Sequence, residues 1–497
     1  MPILSIDAGT TGVTCLVVND AGQIVARGYR EFAQHFDQPG WVEHDPEEIW
    51  QAVLSSSAEA MAATDLKPNA VGITNQRETV VFWNRSTLQA PRRAIVWQDR
   101  RTSEVLKPII DTGKGANIFA KTGLPLDPYF SASKFLWVAQ NQPQIWADVV
   151  AGKTLIGTVD SYLVSRLTSG ETHITDASNA SRTQLMNLKT FEWDDELLDI
   201  FQIPRAALPE IVPNYGDLAV TDAKAFHGLT ISINAMVGDQ QAALFGQLGF
   251  AAGDAKCTYG TGAFILANTG GEMKFSDNGL LTTVAWLGSD GKASYANEGS
   301  VFVAGAAVQW LRDGLGLIET AADTLELASS VASSDGVTFV PALTGLGAPF
   351  WLAEVRGSFF GITRGTTKAH LVRATLEAIA FQVRAIFDAQ SRDTGVKISQ
   401  LRVDGGAAAN DLLLQMQADT LGVSVRRNKI LESTGFGAAL MAGLGAGIFS
   451  STAELEKLVQ LDRVFDPGAN SIGSYEVWLA AVNATKNFAA ETKTLTN

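Results

Sequence analysis

The sequence predicts an α/β protein in which two similar domains face a shared cleft. The chain has 497 residues, too many for one hydrophobic core and enough for two large ones. Near its start, the apolar run Ile3 to Ile6 is followed by Asp7, by Ala8-Gly-Thr-Thr-Gly12, and by a second apolar run from Val13 to Val18. This reads as strand, glycine–threonine tip, strand. About half a chain later, Ala255 to Asn268 repeats the pattern around Gly260-Thr-Gly262. Two such hairpins suggest two similar domains, each offering one tip to the cleft.

The first tip suits a nucleotide's phosphates. Gly9 and Gly12 let the backbone turn tightly and approach a ligand. Thr10 and Thr11 add hydroxyl donors, and Asp7 stands where a strand end could hold Mg²⁺ through water. An ordinary glycine-containing turn carries the same signature. Further strands are expected at 23–31, 70–74 and 80–84. A helix is expected from Pro46 to Thr64, with Asp45 as N-cap and Pro46 in its first turn. A glycine-rich stretch, Phe245 to Gly253, marks the boundary and gives domains 1–248 and 249–497.

The second half repeats the theme. Strands are expected near 254–259, 263–268, 281–287, 336–341 and 399–404. Helices are expected near 301–313, 367–390, 410–421, 434–447 and 473–490. The 367–390 helix carries Leu371, Val372, Leu376, Ile379, Val383 and Phe387 on one stripe, so it is expected to cross between the domains at their floor. Ser433 to Ala453 has no charge and the length to span a bilayer. Its glycines and its Ser/Thr ends favour a tightly packed helix of a soluble core.

Composition excludes several partners. Net charge is −14, and no long basic patch appears, so neither nucleic acid nor membrane insertion is expected. The two cysteines, Cys15 and Cys257, exclude a disulfide framework and suit a cytoplasmic location. Each reads as a small buried hydrophobe. No signal peptide is apparent. The Gly260/Gly262 pair is not a dinucleotide fingerprint, because Ile265 stands where a third glycine belongs, and no Walker loop is present.

Four stretches could carry chemistry. Asp239 lies where a strand ends and a helix opens. It reads either as a helix N-cap or as a carboxylate accepting the proton of a hydroxyl that attacks a phosphoryl group. Gln240 could bind the same substrate. Arg77 and Glu78 read either as a surface ion pair or as donor and acceptor for a small polyol. Trp97, Tyr129 and Phe264 would press on its carbon face, or fill a core. In Leu401 to Asn410 a double glycine lets a flat purine lie against backbone, and Asn410 also fits an N-cap. Gly305 and Gln309 share one helix face.

Taken together, Ile6 to Thr11, Asn75 to Thr79, Ala94 to Gln98, Asp127 to Ser131, Gly238 to Gly246, Thr258 to Gly262 and Val403 to Gly406 resemble the FGGY carbohydrate kinase family. The similarity covers essentially the whole chain, in the family's order. Tyr129 to Asn141 and Gly345 to Phe381 are similar to its two typical regions. The Arg77–Glu78, Trp97 and Tyr129 group resembles the members that act on glycerol.

The resemblance implies two ribonuclease-H-like domains of the actin and hexokinase type flanking an ATP cleft. It implies ATP-dependent phosphorylation of glycerol to sn-glycerol 3-phosphate, with Mg²⁺. Asp239 would be the general base. Arg77, Glu78, Tyr129, Asp239 and Gln240 would bind glycerol, with Trp97 and Phe264 lining the pocket. Thr10, Thr11, Gly12, Thr261, Gly305, Gln309, Gly406 and Asn410 would bind ATP or ADP, and Asp7 would organise the metal. Ala8, Gly12, Thr14 and Trp351-Leu-Ala-Glu354 depart from the family's usual residues. Two other readings stand beside this one: a sister kinase for a pentulose or another polyol, and an actin-like ATPase switch. A homodimer or homotetramer stays open.

Overall fold

The computed structural model describes residues 1–430, 432–468 and 472–496, and in it the two halves of the chain build the same sheet twice. The first sheet has six strands in the order Tyr215–Val220, Ser232–Gly238, Ala70–Asn75, Ile3–Ala8, Gly12–Val18, Ile24–Glu31. Ile3–Ala8 runs antiparallel to Gly12–Val18 and parallel to Ala70–Asn75, which is parallel to Ser232–Gly238. The second sheet has seven strands in the order Leu281–Leu287, Ala293–Val301, Ala263–Gly270, Asp254–Tyr259, Gln400–Asp404, Ser424–Asn428, Leu461–Phe465. Asp254–Tyr259 is antiparallel to Ala263–Gly270 and parallel to Gln400–Asp404, which is parallel to Ser424–Asn428. The five central strands therefore share one order and one set of directions. This is the duplicated ribonuclease-H-like arrangement. Ile3, Leu4 and Ile6 are fully buried, as the near-continuous apolar run of a strand covered on both faces requires.

A smaller four-stranded sheet, Glu43–His44, Ala94–Ile95, Val80–Asn84, Thr154–Thr158, sits within the first half. It matters because Glu78 lies just before one of its strands and Trp97 just after another. The helix Pro46–Ala62 starts as expected: Asp45 Oδ1 accepts the amide N–H of Glu47 at 2.8 Å.

One expectation is corrected. The helix Lys368–Thr394 does not cross between the halves. Val372, Leu376, Ile379, Val383 and Phe387 pack with Cys257, Ile265 and Leu401 in the core of the second half. The crossing is made by two other helices, Asp239–Gly246 and Ser433–Gly445. Each follows the last parallel strand of its own five-strand core. Ser433–Gly445, late in the chain, packs on the first sheet through Phe436, Ala438 and Leu440, among Leu16, Ala70 and Val237. The two helices touch backbone to backbone. A Cβ on Gly246 would lie 2.2 Å from the Ser433 carbonyl oxygen, and one on Gly437 would lie 1.9 Å from that of Ala242. No larger residue fits at either point. The strand expected near 336–341 forms as Thr338–Val340 and pairs with Ser358–Phe360, outside the main sheet.

Both cysteines are buried and free, and burial pushes each thiol up to about 12. Among the described residues no helix is long and apolar enough to cross a membrane.

Candidate active site

Each glycine–threonine tip is closed by one short backbone bond. Gly9 N–H donates to Gly12 O at 3.0 Å, and Gly260 N–H donates to Gly262 O at 2.8 Å. In the second tip, the amides of Ala304 and Ala306 donate to Thr261 O, both at 2.9 Å, and that of Gly305 to Gly260 O at 3.0 Å. The helix Gly305–Asp313 is thereby clamped against the tip. A Cβ on Gly305 would come within 2.5 Å of Gly260 O, so glycine is required. A cavity of about 390 Å³ opens beside this tip, and Thr261, Gly305, Gln309, Gly406 and Asn410 all line it. Gly305 and Gln309 do share the lining face. Asn410 fulfils both of its readings: it lines the cavity, and its Oδ1 caps the next helix by accepting Leu413 N–H at 3.1 Å.

Thr10, Thr11 and Gly12 form the first tip, on the other half of the molecule. Thr10 Oγ1 accepts the Trp97 indole N–H at 3.0 Å, which ties this tip to an aromatic group. Trp97 meets Tyr129 edge-on, with ring centroids 5.7 Å apart, and meets Phe264 of the second half at 6.4 Å. All three rings keep some exposure, so they line an opening rather than fill a core. Lys134 holds the Tyr129 loop. Its buried ammonium donates to the carbonyl oxygens of Pro128, Tyr129 and Phe130 at 2.8, 2.6 and 3.1 Å. Burial lowers its pKa to about 7.

Arg77 and Glu78 are buried, which removes the surface-pair reading. In the ion-pair network their partners are other residues. Arg77 Nε lies 3.0 Å from Asp239 Oδ1, and Arg77 Nη1 lies 2.6 Å from Glu298 Oε2. Glu78 Oε1 accepts from Arg182 Nε at 2.6 Å, and Arg182 Nη2 reaches Glu298 Oε1 at 2.9 Å. Glu298, on the strand Ala293–Val301 of the second half, thus bridges two arginines of the first. Burial works to raise its pKa, but Arg182 and Arg77 outweigh that and hold it near 2. For Glu78 burial prevails over Arg182 and Arg77, and its pKa is raised. Glu78 also sits at φ 62°, a left-handed conformation uncommon for a non-glycine residue and concentrated at functional sites.

Asp239 is the first residue of its helix, not the N-cap, which is Gly238. Its side chain is 26% exposed and is steered by Arg77 rather than by a capping bond. Gly238 has to be glycine, because a Cβ there would lie 2.7 Å from Arg77 Cδ. Gln240 is partly exposed, and its Oε1 accepts from Lys256 Nζ. Asp7 is the penultimate residue of the strand Ile3–Ala8, and its pKa is pushed up to about 8, first by burial and then by the charges of Asp239 and Glu432.

Two family models match this chain. One is the N-terminal domain of the FGGY family of carbohydrate kinases, over residues 2–246, and the other is that family's C-terminal domain, over residues 255–446. The chain belongs to the FGGY family of carbohydrate kinases. It is similar to a glycerol kinase of Bdellovibrio bacteriovorus, 51% identical over 93% of this chain and 94% of the relative. A glycerol kinase of Oceanobacillus iheyensis is 47% identical over 98% and 99% of the two chains. Among solved structures, a Plasmodium falciparum glycerol kinase with ADP superposes with a TM-score of 0.92 at 36% identity, over 99% of this chain and 98% of that one.

The site of this FGGY kinase also holds residues that sequence reasoning missed. Glu298, Arg182 and Lys256 complete its charge network. Glu298 was hidden because its strand was not expected. Arg182 sits in a polar run, Thr175 to Gln184, that reads as a loop, yet every residue of it is buried. The readable signal was the charge itself: Glu298 is the one charged residue of Ala293–Val301, and Lys256 stands between the apolar Ala255 and Cys257.

Proposed function

We propose that this chain transfers the γ-phosphoryl group of ATP to glycerol, giving sn-glycerol 3-phosphate and ADP. The carrying observation is the meeting of Trp97, Tyr129 and Phe264 with the Arg77, Glu78 and Asp239 cluster, between two phosphate-type tips. The aromatic edges suit a short carbon chain, and the charged groups suit adjacent hydroxyls. The relatives at about half identity are named as glycerol kinases, and this supports the same substrate here.

In this reading, Arg77 and Glu78 hold glycerol. Arg182 fixes Glu78 through Oε1 and leaves Oε2 to accept a substrate hydroxyl. Arg77 orients Asp239, which takes the proton of the attacking hydroxyl as the new O–P bond forms. Gln240 and Tyr129 complete the glycerol contacts, and Trp97 and Phe264 shield them from water. Thr261, Gly305, Gln309, Gly406 and Asn410 hold the nucleotide, and Thr10, Thr11 and Gly12 reach its phosphates from the other side. Among the described residues no three His, Cys, Asp or Glu side chains form a ready cage for a metal. That fits Mg²⁺, which is commonly held by one or two carboxylates with water and phosphate oxygens. Asp7, whose carboxyl is pushed up first by burial and then by the charges of Asp239 and Glu432, is the residue to hold it, and the ion would neutralise phosphate charge.

We assign residues 1–248 to the glycerol-binding domain and 249–497 to the nucleotide-binding domain, and place the enzyme in the cytoplasm. The test is ADP release over glycerol, dihydroxyacetone, pentuloses and no acceptor. Glycerol-dependent release is expected. Equal release without an acceptor, or a preference for a pentulose, overturns the assignment.

A further inference from the structure

Buried cations in this protein are nearly all matched. Arg77 and Arg182 share Glu298, Asp239 and Glu78, and Arg101 is paired with Asp99 and Glu43. Lys134 satisfies its three donors on three carbonyl oxygens. Lys256 differs. It is 1% exposed, and its Nζ has two partners, Gln240 Oε1 and Thr258 Oγ1, the latter at 3.0 Å. Both are neutral, and among the described residues no carboxylate lies within ion-pair distance. A buried ammonium without an anion is costly, so a site that keeps one is built to receive negative charge.

Its position names the anion. Lys256 lies on the strand Asp254–Tyr259, two residues before Thr258, and that strand runs into the Gly260–Gly262 tip beside the nucleotide cavity. Through Gln240 it also touches the helix that carries Asp239. Lys256 therefore stands between the acceptor side and the phosphate side of the cleft. Burial lowers its pKa, while Asp404 and Asp239 work the other way and favour the charged form.

We propose that Lys256 is a catalytic residue whose ammonium holds the non-bridging oxygens of the transferring phosphoryl group. The proposal rests on the glycerol kinase reading of the same site. In the step, the glycerol oxygen bonds to the γ-phosphorus and its proton passes to Asp239. The bond from phosphorus to the bridging oxygen breaks, and that electron pair leaves with ADP. Lys256 keeps its protons throughout and supplies fixed positive charge where negative charge spreads. Its bond to Gln240 is a resting contact: substrate binding exchanges it, freeing Gln240 for glycerol and Lys256 for phosphate.

The test compares glycerol, sn-glycerol 3-phosphate and ADP binding, by calorimetry, in wild type, Lys256→Met and Lys256→Arg, with turnover measured alongside. Lys256→Met is expected to bind glycerol and ADP within about threefold of wild type, to bind sn-glycerol 3-phosphate at least tenfold more weakly, and to lose about 10²–10³ in kcat. Lys256→Arg should recover part of the glycerol phosphate affinity. The melting temperature of ligand-free Lys256→Met should equal or exceed that of wild type, since an unpaired buried charge is gone. Equal weakening of glycerol and its phosphate, or unchanged kcat, overturns the proposal. So does a lower melting temperature with the preference between the two ligands intact. If Lys256→Met does not fold, Lys256→Gln carries the same comparison. A wild-type enzyme that makes no glycerol phosphate from glycerol would instead overturn the underlying function.

Discussion

The two hairpins are closed by the same kind of backbone bond, the first tip being one residue longer, and the chemistry behind them differs. Counting back from each closed tip, Asp7 corresponds to Thr258 and Ser5 to Lys256. Asp7 is registered with Thr74 on the neighbouring parallel strand, and Thr258 with Asp404. The acid has changed strands between the two halves. Ser5 Oγ donates to Gly435 O, on the crossing helix Ser433–Gly445, at 2.5 Å. Lys256 contacts Gln240, on the other crossing helix. A small packing hydroxyl in one half is thus a buried cation in the other. Duplication supplied two equivalent frames, and single residues at matched positions put a carboxylic acid behind one tip and an ammonium behind the other. A phosphoryl group carried between them needs that asymmetry.

The largest break in this arrangement should come from Asp239. Asp239→Asn keeps the size of the side chain and its place beside Arg77 but cannot accept the proton. Turnover should fall on the order of 10²–10⁴-fold, with ADP binding retained. Steady-state kinetics with a calorimetric ADP titration decides it, and near-normal turnover in a folded variant would remove Asp239 from the chemistry.

Glu298 links the frames, and its loss comes next. Glu298→Gln removes the carboxylate that the two buried arginines share and leaves them only Glu78 and the partly exposed Asp239. We expect about 3 kcal/mol of lost stability and a glycerol KM raised about tenfold as Glu78 and Asp239 lose their fixed arginines. ATP KM should change far less. Equal rises in both KM values would show that Glu298 only supports the fold.

How far these features were legible depends on sequence distance. The hairpins could be read because a glycine–threonine tip between apolar runs is a local signal. Asp239 could be read because Gly238-Asp-Gln-Gln241 is contiguous. Glu298 could not, because its partners Arg182 and Arg77 lie 116 and 221 residues away in the chain. The crossing helix was misassigned for a related reason. The apolar stripe on Lys368–Thr394 reports burial but not by which half: Val372, Leu376 and Ile379 face one core of the second half, and Ala374, Ala378 and Phe381 face another. Ser433–Gly445 has small and apolar residues all around, which is what burial between two sheets demands. Its glycines recorded the backbone contact with Asp239–Gly246, but that contact needs the fold to be seen. Gly437→Ala tests it. A methyl 1.9 Å from Ala242 O forces the helices apart, and we expect about 1–3 kcal/mol of lost stability by chemical denaturation. Gly406→Ala, where a Cβ would meet nothing within 4 Å, should leave stability nearly unchanged. Equal effects at the two sites would show that the crossing is not tight.

The smallest expected effect isolates the acid of the first frame. Asp7 titrates near 8 in the folded protein, against an ordinary value of 3.8. Between those values the folded state binds more protons than the unfolded chain, so this group's contribution to stability is fully present below 3.8 and is lost as pH rises through 8. Asn at this position resembles the protonated acid and carries no charge at any pH. Without Mg²⁺, Asp7→Asn and wild type should therefore melt at similar temperatures near pH 4, and the variant should melt a few degrees higher at pH 8.5. Catalysis should move the opposite way, with Asp7→Asn impaired wherever the metal is needed. Thermal unfolding of both proteins in a chelator, at pH 4, 6 and 8.5, measures the difference. A gap that stays constant across that range would mean that Asp7 is not held in its protonated form, and that the first hairpin carries its negative charge even without the metal.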